Sequence, residues 1–234
     1  MIKTIKANIP NTITCLNLLA GSLACIFSFR STELFGSLHG YELVFIFIAA
    51  AAVFDFCDGA AARLLHAYSR LGKELDSLSD LISFGLAPAL LVFNTMKEFE
   101  PASSLCYGAL ILAVCGALRL AKFNIDDRQA TSFIGLPIPA NAIFWIGFCS
   151  WVHATGIYCT WMMLALAILM SFSMVSRLKM FSLKFANFRL RENLKRYIII
   201  IAAILLVALC GVSGLAWTIL LYIAISIVAP TREK

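Results

Sequence analysis

The sequence predicts an all-α, polytopic integral membrane bundle with about eight transmembrane helices and both termini cytoplasmic. Three observations predict it. Of 234 residues, 61% are apolar and only 14% charged, outside the range of soluble domains. Long uncharged stretches recur along the chain, as helical spans require, without the alternating polarity of a transmembrane β-barrel. The basic residues also fall almost wholly on one side once those stretches are threaded through a bilayer.

Taken in order, the apolar runs predict helices over 11–29, 41–62, 74–96, 103–122, 137–153, 157–175, 195–211 and 213–229. The fifth and seventh fall short of the roughly 20 residues of a straight span and are expected to extend into their flanks. With the N-terminus cytoplasmic, Lys3, Lys6, Arg63, Arg70, Lys73, Arg119, Lys122, Arg128, the bases of 177–196, Arg232 and Lys234 all lie inside. Of 19 Lys and Arg, only Arg30 and Lys97 fall outside, and that asymmetry sets the topology. The net charge of +6 is thus a topology signal and gives no support to a nucleic-acid partner. "MIKTIKANIPNTI" lacks a small-residue cleavage site and reads as an uncleaved first span. The eight cysteines are scattered singly, as free thiols would be. The three histidines are isolated in sequence and suggest no ligand cluster.

The chain divides into a membrane domain over 1–175, which carries the motif taken as catalytic below, a basic connection over 176–196, and a C-terminal helix pair with its tail over 197–234. In "SRLKMFSLKFANFRLRENLKR", 176–196, bases interleave with Leu178, Met180, Phe181 and Phe185. That pattern suits an interfacial helix on anionic lipid, and equally an ordinary positive-inside connector.

The chemistry concentrates in "DFCDGAAARLLHAYSRLGKELDSLSD", 55–80. Asp55 and Asp58 are three residues apart, Asp76 and Asp80 four, so each pair shares a helix face. If the connection at 64–73 turns the chain back, the pairs confront each other at the cytoplasmic membrane face. Unpaired carboxylates at that depth repel one another and are expensive. Protonation, bound cations or an ion-pair network with Arg63, Arg70 and Lys73 would relieve them. The ion-pair network does not explain two same-face pairs with small residues among them. Four hard oxygen donors suit Mg²⁺ or Mn²⁺, and two ions better than one. Gly59, Ala60, Ala61 and Ala62 leave one helix face nearly bare and Gly72 precedes the second pair. This leaves room for a bulky anion such as a diphosphate, with Arg63 placed to contact a phosphate oxygen. Close helix packing is the other use of such small residues.

The pattern Asp55-x2-Asp58-Gly59-x2-Ala62-Arg63-x8-Gly72-x3-Asp76-x3-Asp80 resembles, position for position, the signature of the CDP-alcohol phosphotransferase family. "NIPNTITCLNLLAG" (8–21), "LDSLSDLISFGLAPALL" (75–91), "LRLAKFN" (118–124) and "FIGLPIPANA" (133–142) resemble its phosphatidylserine synthase branch. The likeness covers roughly 8–142. It implies an enzyme of the inner membrane, active at its cytoplasmic face. Such an enzyme moves a phosphatidyl group from CDP-diacylglycerol to L-serine and is commonly a homodimer. It further implies Asp55, Asp58 and Asp76 as metal ligands and Asp80 as the general base, also touching a metal. Gly59, Ala62, Arg63, Ser69 and Gly72 would line the CDP moiety, with Pro10, Asn11 and Thr14 bordering it. For the serine carboxylate, Arg119 and Lys122 with Asn124 sit at the right level, although bases there also simply mark a helix end. Ser77, Ser79 and Ser83 suit either acceptor contact or helix packing. Glycerol-3-phosphate or inositol phosphate as acceptor, and divalent-cation transport, are the competing readings.

Overall fold

The computed structural model describes residues 2–125, 133–181 and 190–228. Arg128, the 182–189 part of the basic connection, and the tail with Arg232 and Lys234 lie outside the described residues, as do the Lys3 and Lys6 side chains. Helix falls in every one of the eight expected ranges. α1 (Ile2–Ser28) begins well before residue 11, and a short hairpin of β1 (Leu34–Phe35) and β2 (Leu38–His39) leads into α2 (Gly40–Leu64). The third range splits into α3 (Arg70–Asp80), a π-helical segment over Leu81–Leu86, and α4 (Ala87–Phe99). A 3₁₀ turn (Ser104–Leu110) runs into α5 (Ile111–Ile125), followed by β3 (Phe133–Ile134), α6 (Ile138–Thr155) and α7 (Thr160–Val175). β4 (Lys179–Met180) pairs antiparallel with β3, so part of the basic connection is extended rather than helical. α8 (Leu190–Cys210) and α9 (Gly214–Val228) end the described chain.

Among the described residues, five helical stretches are long and apolar enough to cross a membrane: Asn8–Ser28, Gly40–Leu64, Arg70–Phe99, Ser104–Ile125 and Asn193–Val228. α7 is a shorter apolar helix. Length and composition therefore establish an all-α protein with five candidate spans.

Local chemistry explains the elements that carry the site. α2 opens with a Glu42 carboxylate accepting the His39 N–H at 2.7 Å, which satisfies an otherwise orphan donor. After α2 the chain turns through 65–69, and Ser69 caps α3 by accepting the Gly72 N–H at 2.9 Å. The π segment has a cause in Pro88, which has no N–H to donate and whose ring crowds the carbonyl four residues back. The helix widens instead, and Ala87 N–H bonds to the Ile82 carbonyl five residues back.

Small residues set the distances between helices, as expected where packing rather than water drives association. A Cβ on Gly21 of α1 would stand 2.2 Å from Ser83 Oγ. On Gly116 of α5 it would stand 2.8 Å from Ile138 Cδ1 and 3.6 Å from Gly85 Cα. The first contact brings α1 onto the π segment. The second brings α5 there, so Arg119, one turn past Gly116, lies near the end of α3. A Cβ on Gly147 of α6 would meet the Ala216 backbone N at 2.3 Å, which docks α9 on α6. Trp145, Phe144, Leu91, Met96 and Leu112 are fully buried between α4, α5 and α6. At the end of the bundle away from the aspartates, Tyr41 stacks on both His39 and His153, with centroids 5.4 and 4.0 Å away. His153 Nδ1 is 3.7 Å from Glu98 Oε1. Two of the histidines that look isolated in sequence are thus neighbours in space.

Candidate active site

Three helices supply the site. Asp55 and Asp58 lie in the second half of α2 (Gly40–Leu64), Asp76 and Asp80 in the second half of α3 (Arg70–Asp80), and α1 packs against both helices. Asp55, Asp76 and Asp80 each present a carboxylate oxygen within 4.8 Å of the others. Asp76 Oδ1 is buried without a hydrogen-bond partner. Such an orphan acceptor inside an acidic cluster is costly unless a cation or proton joins it. No ion pair to these aspartates occurs among the described residues, so the network with Arg63, Arg70 and Lys73 does not form. The acceptor set and the orphan oxygen fit a divalent cation.

Asp58 stands slightly apart. It is 5% exposed and its Oδ2 accepts the Thr14 hydroxyl at 2.6 Å, which ties it to α1. It also lines a cavity of about 580 Å³ that opens beside the triad, a volume typical of small-ligand sites. Pro10, Asn11, Thr14, Gly59, Ala62, Ser69, Gly72 and Asp76, all singled out from sequence, line that cavity. Gly59 faces open space: a Cβ there would find only Arg63 Nη1, at 3.6 Å. Gly72 is closely approached, its would-be Cβ 2.9 Å from Asn11 Oδ1. Arg63 is exposed beside Gly59 and does not itself line the cavity.

The acceptor candidates separate. Arg119 is 7% exposed, packs over the Phe123 ring at 5.0 Å, and keeps a buried Nε without a partner. Asp80 and Tyr222 are its electrostatic neighbours. Lys122, by contrast, is exposed and reaches the Val175 carbonyl at 3.5 Å, at the C-terminus of α7. Asn124 donates to Ser77 Oγ at 2.8 Å, and its carbonyl accepts from Lys73 Nζ at 3.1 Å, so it joins α5 to α3. Ser79 and Ser83 are fully buried, bonding to the Thr14 carbonyl and to Asn17. Neither lines the cavity.

Several residues escaped the sequence reading. Asn17, fully buried, donates to Asp80 Oδ1 at 3.2 Å. Its signal is the stripe Pro10, Thr14, Asn17, Gly21, spaced three or four apart on one face of an apolar helix. Tyr68, Arg70 and Lys73 line the cavity, and bases close after an acidic pair could have been weighed as anion contacts. Tyr222, 3% exposed, donates to the Phe181 carbonyl at 2.8 Å. No local pattern in α9 marks it.

Known proteins resemble this chain over most of its length. Residues 7–175 match the family model described as CDP-alcohol phosphatidyltransferase. A CDP-diacylglycerol–serine O-phosphatidyltransferase of Methanocaldococcus jannaschii is 36% identical over 217 residues, 93% of this chain and 90% of that protein. One of Bacillus subtilis is 42% identical over 132 residues, 56% of this chain and 69% of that protein. One of Mycobacterium leprae is 34% identical over 168 residues, 65% of this chain, and there the match spans 53% of the relative's length. With five of the eight signature residues lining one cavity and the family model covering most of its length, this chain belongs to the CDP-alcohol phosphatidyltransferase family.

Proposed function

We propose that this protein is a CDP-diacylglycerol–serine O-phosphatidyltransferase. It transfers the phosphatidyl group of CDP-diacylglycerol to the hydroxyl of L-serine, giving phosphatidylserine and CMP. The observation that carries the reading is the convergence of Asp55, Asp76 and Asp80 beside a cavity walled by Gly59, Ala62, Ser69 and Gly72. Three relatives named for serine transfer support the acceptor.

In this mechanism the diphosphate enters the cavity over the bare face of Gly59 and Ala62, with Arg63 at its edge and Pro10, Asn11 and Thr14 along its far wall. Asp55, Asp58, Asp76 and Asp80 would hold Mg²⁺ or Mn²⁺, two ions in all, which when bound supply positive charge against the diphosphate and the departing CMP. Arg119, with its open Nε, receives the serine carboxylate. Lys122, Asn124 and Ser83 shape that side of the site from one step away. Asp80 takes the serine hydroxyl proton as the serine oxygen bonds to the phosphatidyl phosphorus and the bond to CMP breaks. The lipid tails stay in the bilayer.

The same proposal holds that eight helices cross the inner membrane with both termini and the site at the cytoplasmic face, by the one-sided bases. It divides the chain at 175 and 196 and takes the working unit to be a homodimer.

The test offers purified protein CDP-diacylglycerol and Mg²⁺ or Mn²⁺, then serine, inositol phosphate and glycerol-3-phosphate in turn, and identifies the lipid by mass. Phosphatidylserine with CMP release is expected. A phosphorylated product lipid would move the acceptor assignment. Ion flux into liposomes without CMP release would replace the enzyme with a transporter.

A further inference from the structure

Asp80 does not stand free in the cluster. Its Oδ1 accepts the Asn17 amide at 3.2 Å, and Asn17 Oδ1 accepts the Ser83 hydroxyl at 2.7 Å. Ser83 Oγ also lies 3.0 Å from the Asn17 carbonyl. Asn17 and Ser83 are both fully buried. An amide placed between a hydroxyl and a carboxylate has only one sensible orientation. The hydroxyl proton goes to Oδ1, and Nδ2 must then point its N–H at the carboxylate. Gly21 leaves the space that Ser83 occupies, since a Cβ there would stand 2.2 Å from Ser83 Oγ, so the hydroxyl sits against Asn17 with both of its acceptors on that residue.

We infer that Asn17 is a positioning residue for the base: oriented by Ser83, it holds Oδ1 of Asp80 so that Oδ2 is presented to the acceptor hydroxyl. The inference rests on the assignment of Asp80 as base. It assigns to α1 a part in the proton transfer that the aspartate signature itself does not contain. Ser83 thus acts on the reaction through Asn17 and does not touch serine.

A role in helix packing alone predicts a different outcome, since polar side chains also serve as glue between membrane helices. The experiment is a double-mutant cycle on Asn17→Leu and Ser83→Ala, reading kcat, both KM values, CDP-diacylglycerol affinity by calorimetry, and thermal unfolding. Asn17→Leu is expected to lower kcat on the order of 10- to 100-fold, as loss of a hydrogen bond to a charged group implies. Donor affinity and both KM values should stay near wild type. Ser83→Ala, which leaves the amide in place but free to rotate, should lower kcat several-fold at an unchanged melting temperature. The double variant should be no slower than Asn17→Leu, because Ser83 works only through Asn17. Unchanged kcat in Ser83→Ala, or losses in Asn17→Leu that track folded protein and donor affinity, would overturn the inference. Asp80→Asn, measured alongside, separates the two readings. If that variant turns over normally, the base assignment has failed before the Asn17 result is considered.

Discussion

Thr14 offers a sharp test of the link between α1 and the acidic cluster. Its hydroxyl has one proton and two acceptors, Asp58 Oδ2 at 2.6 Å and the Pro10 carbonyl at 3.0 Å. The shorter, charged partner takes the proton. Both side chains are largely buried, at 3% and 5% exposure, in the wall of the cavity. Thr14→Val keeps the branched shape and removes the donor. A hydrogen bond to a charged group is worth about 1.5–3 kcal/mol, roughly 10- to 150-fold in an equilibrium constant. Groups that orient metal ligands typically tune affinity or activity by about 10- to 100-fold. The assay is initial rate against Mg²⁺ concentration at fixed CDP-diacylglycerol and serine. We predict that half-saturating Mg²⁺ rises by about 10- to 100-fold in Thr14→Val, while Thr14→Ser stays close to wild type. A Thr14→Val titration that overlays wild type would show that the Thr14–Asp58 bond serves only to pack α1 on α2, and the reasoning would fail.

Asp80→Asn should cost about 10²- to 10⁴-fold in kcat while CDP-diacylglycerol still binds, because the base is lost and Asp55, Asp58 and Asp76 remain to hold cations at the diphosphate. Arg119→Ala should raise the KM for serine by about 10- to 100-fold with the donor KM unchanged, given the buried, open Nε. Lys122→Ala, which removes only a contact with the end of α7, should leave serine KM near wild type, and equal effects of the two would remove Arg119 from the acceptor pocket. Gly135→Ala should lower the melting temperature in detergent. Its φ of +78° costs a residue with a Cβ about 1–2 kcal/mol, and that Cβ would stand 2.2 Å from the Met174 carbonyl. An unchanged melt would contradict the packing of this loop on α7.

What could be seen in the sequence follows from what is local. The eight apolar runs are continuous, so a helix near each is readable from composition, and the carboxylate pairs are readable from their helical spacing. The π segment was hidden because Pro88 acts four residues upstream, on a stretch whose apolarity looks uniform. The starts of α1 and α8 were misplaced because polar residues continue a helix once its apolar part exists. In the site, Gly59 and Gly72 could be assigned because their spacing to the aspartates is fixed within one hairpin. Asn17, Ser83 and Tyr222 could not. Their roles depend on partners 63, 66 and 41 residues away, and nothing in their own neighbourhoods records which helix they will meet. Lys122 and Arg119 illustrate the same point. They sit three positions apart on one helix, yet one caps α7 in the open and the other is buried near Asp80.

The central claim is that these aspartates grip divalent cations where the donor's diphosphate sits. Counting Mn²⁺ bound to the purified protein, by electron paramagnetic resonance with and without CDP-diacylglycerol, addresses it directly. The account predicts two bound Mn²⁺ per chain with the donor present, and loss of bound metal in Asp76→Asn, whose wild-type oxygen is buried without a partner. Wild-type protein that binds no Mn²⁺ with the donor present, or binds it equally well after Asp76→Asn, would contradict the account.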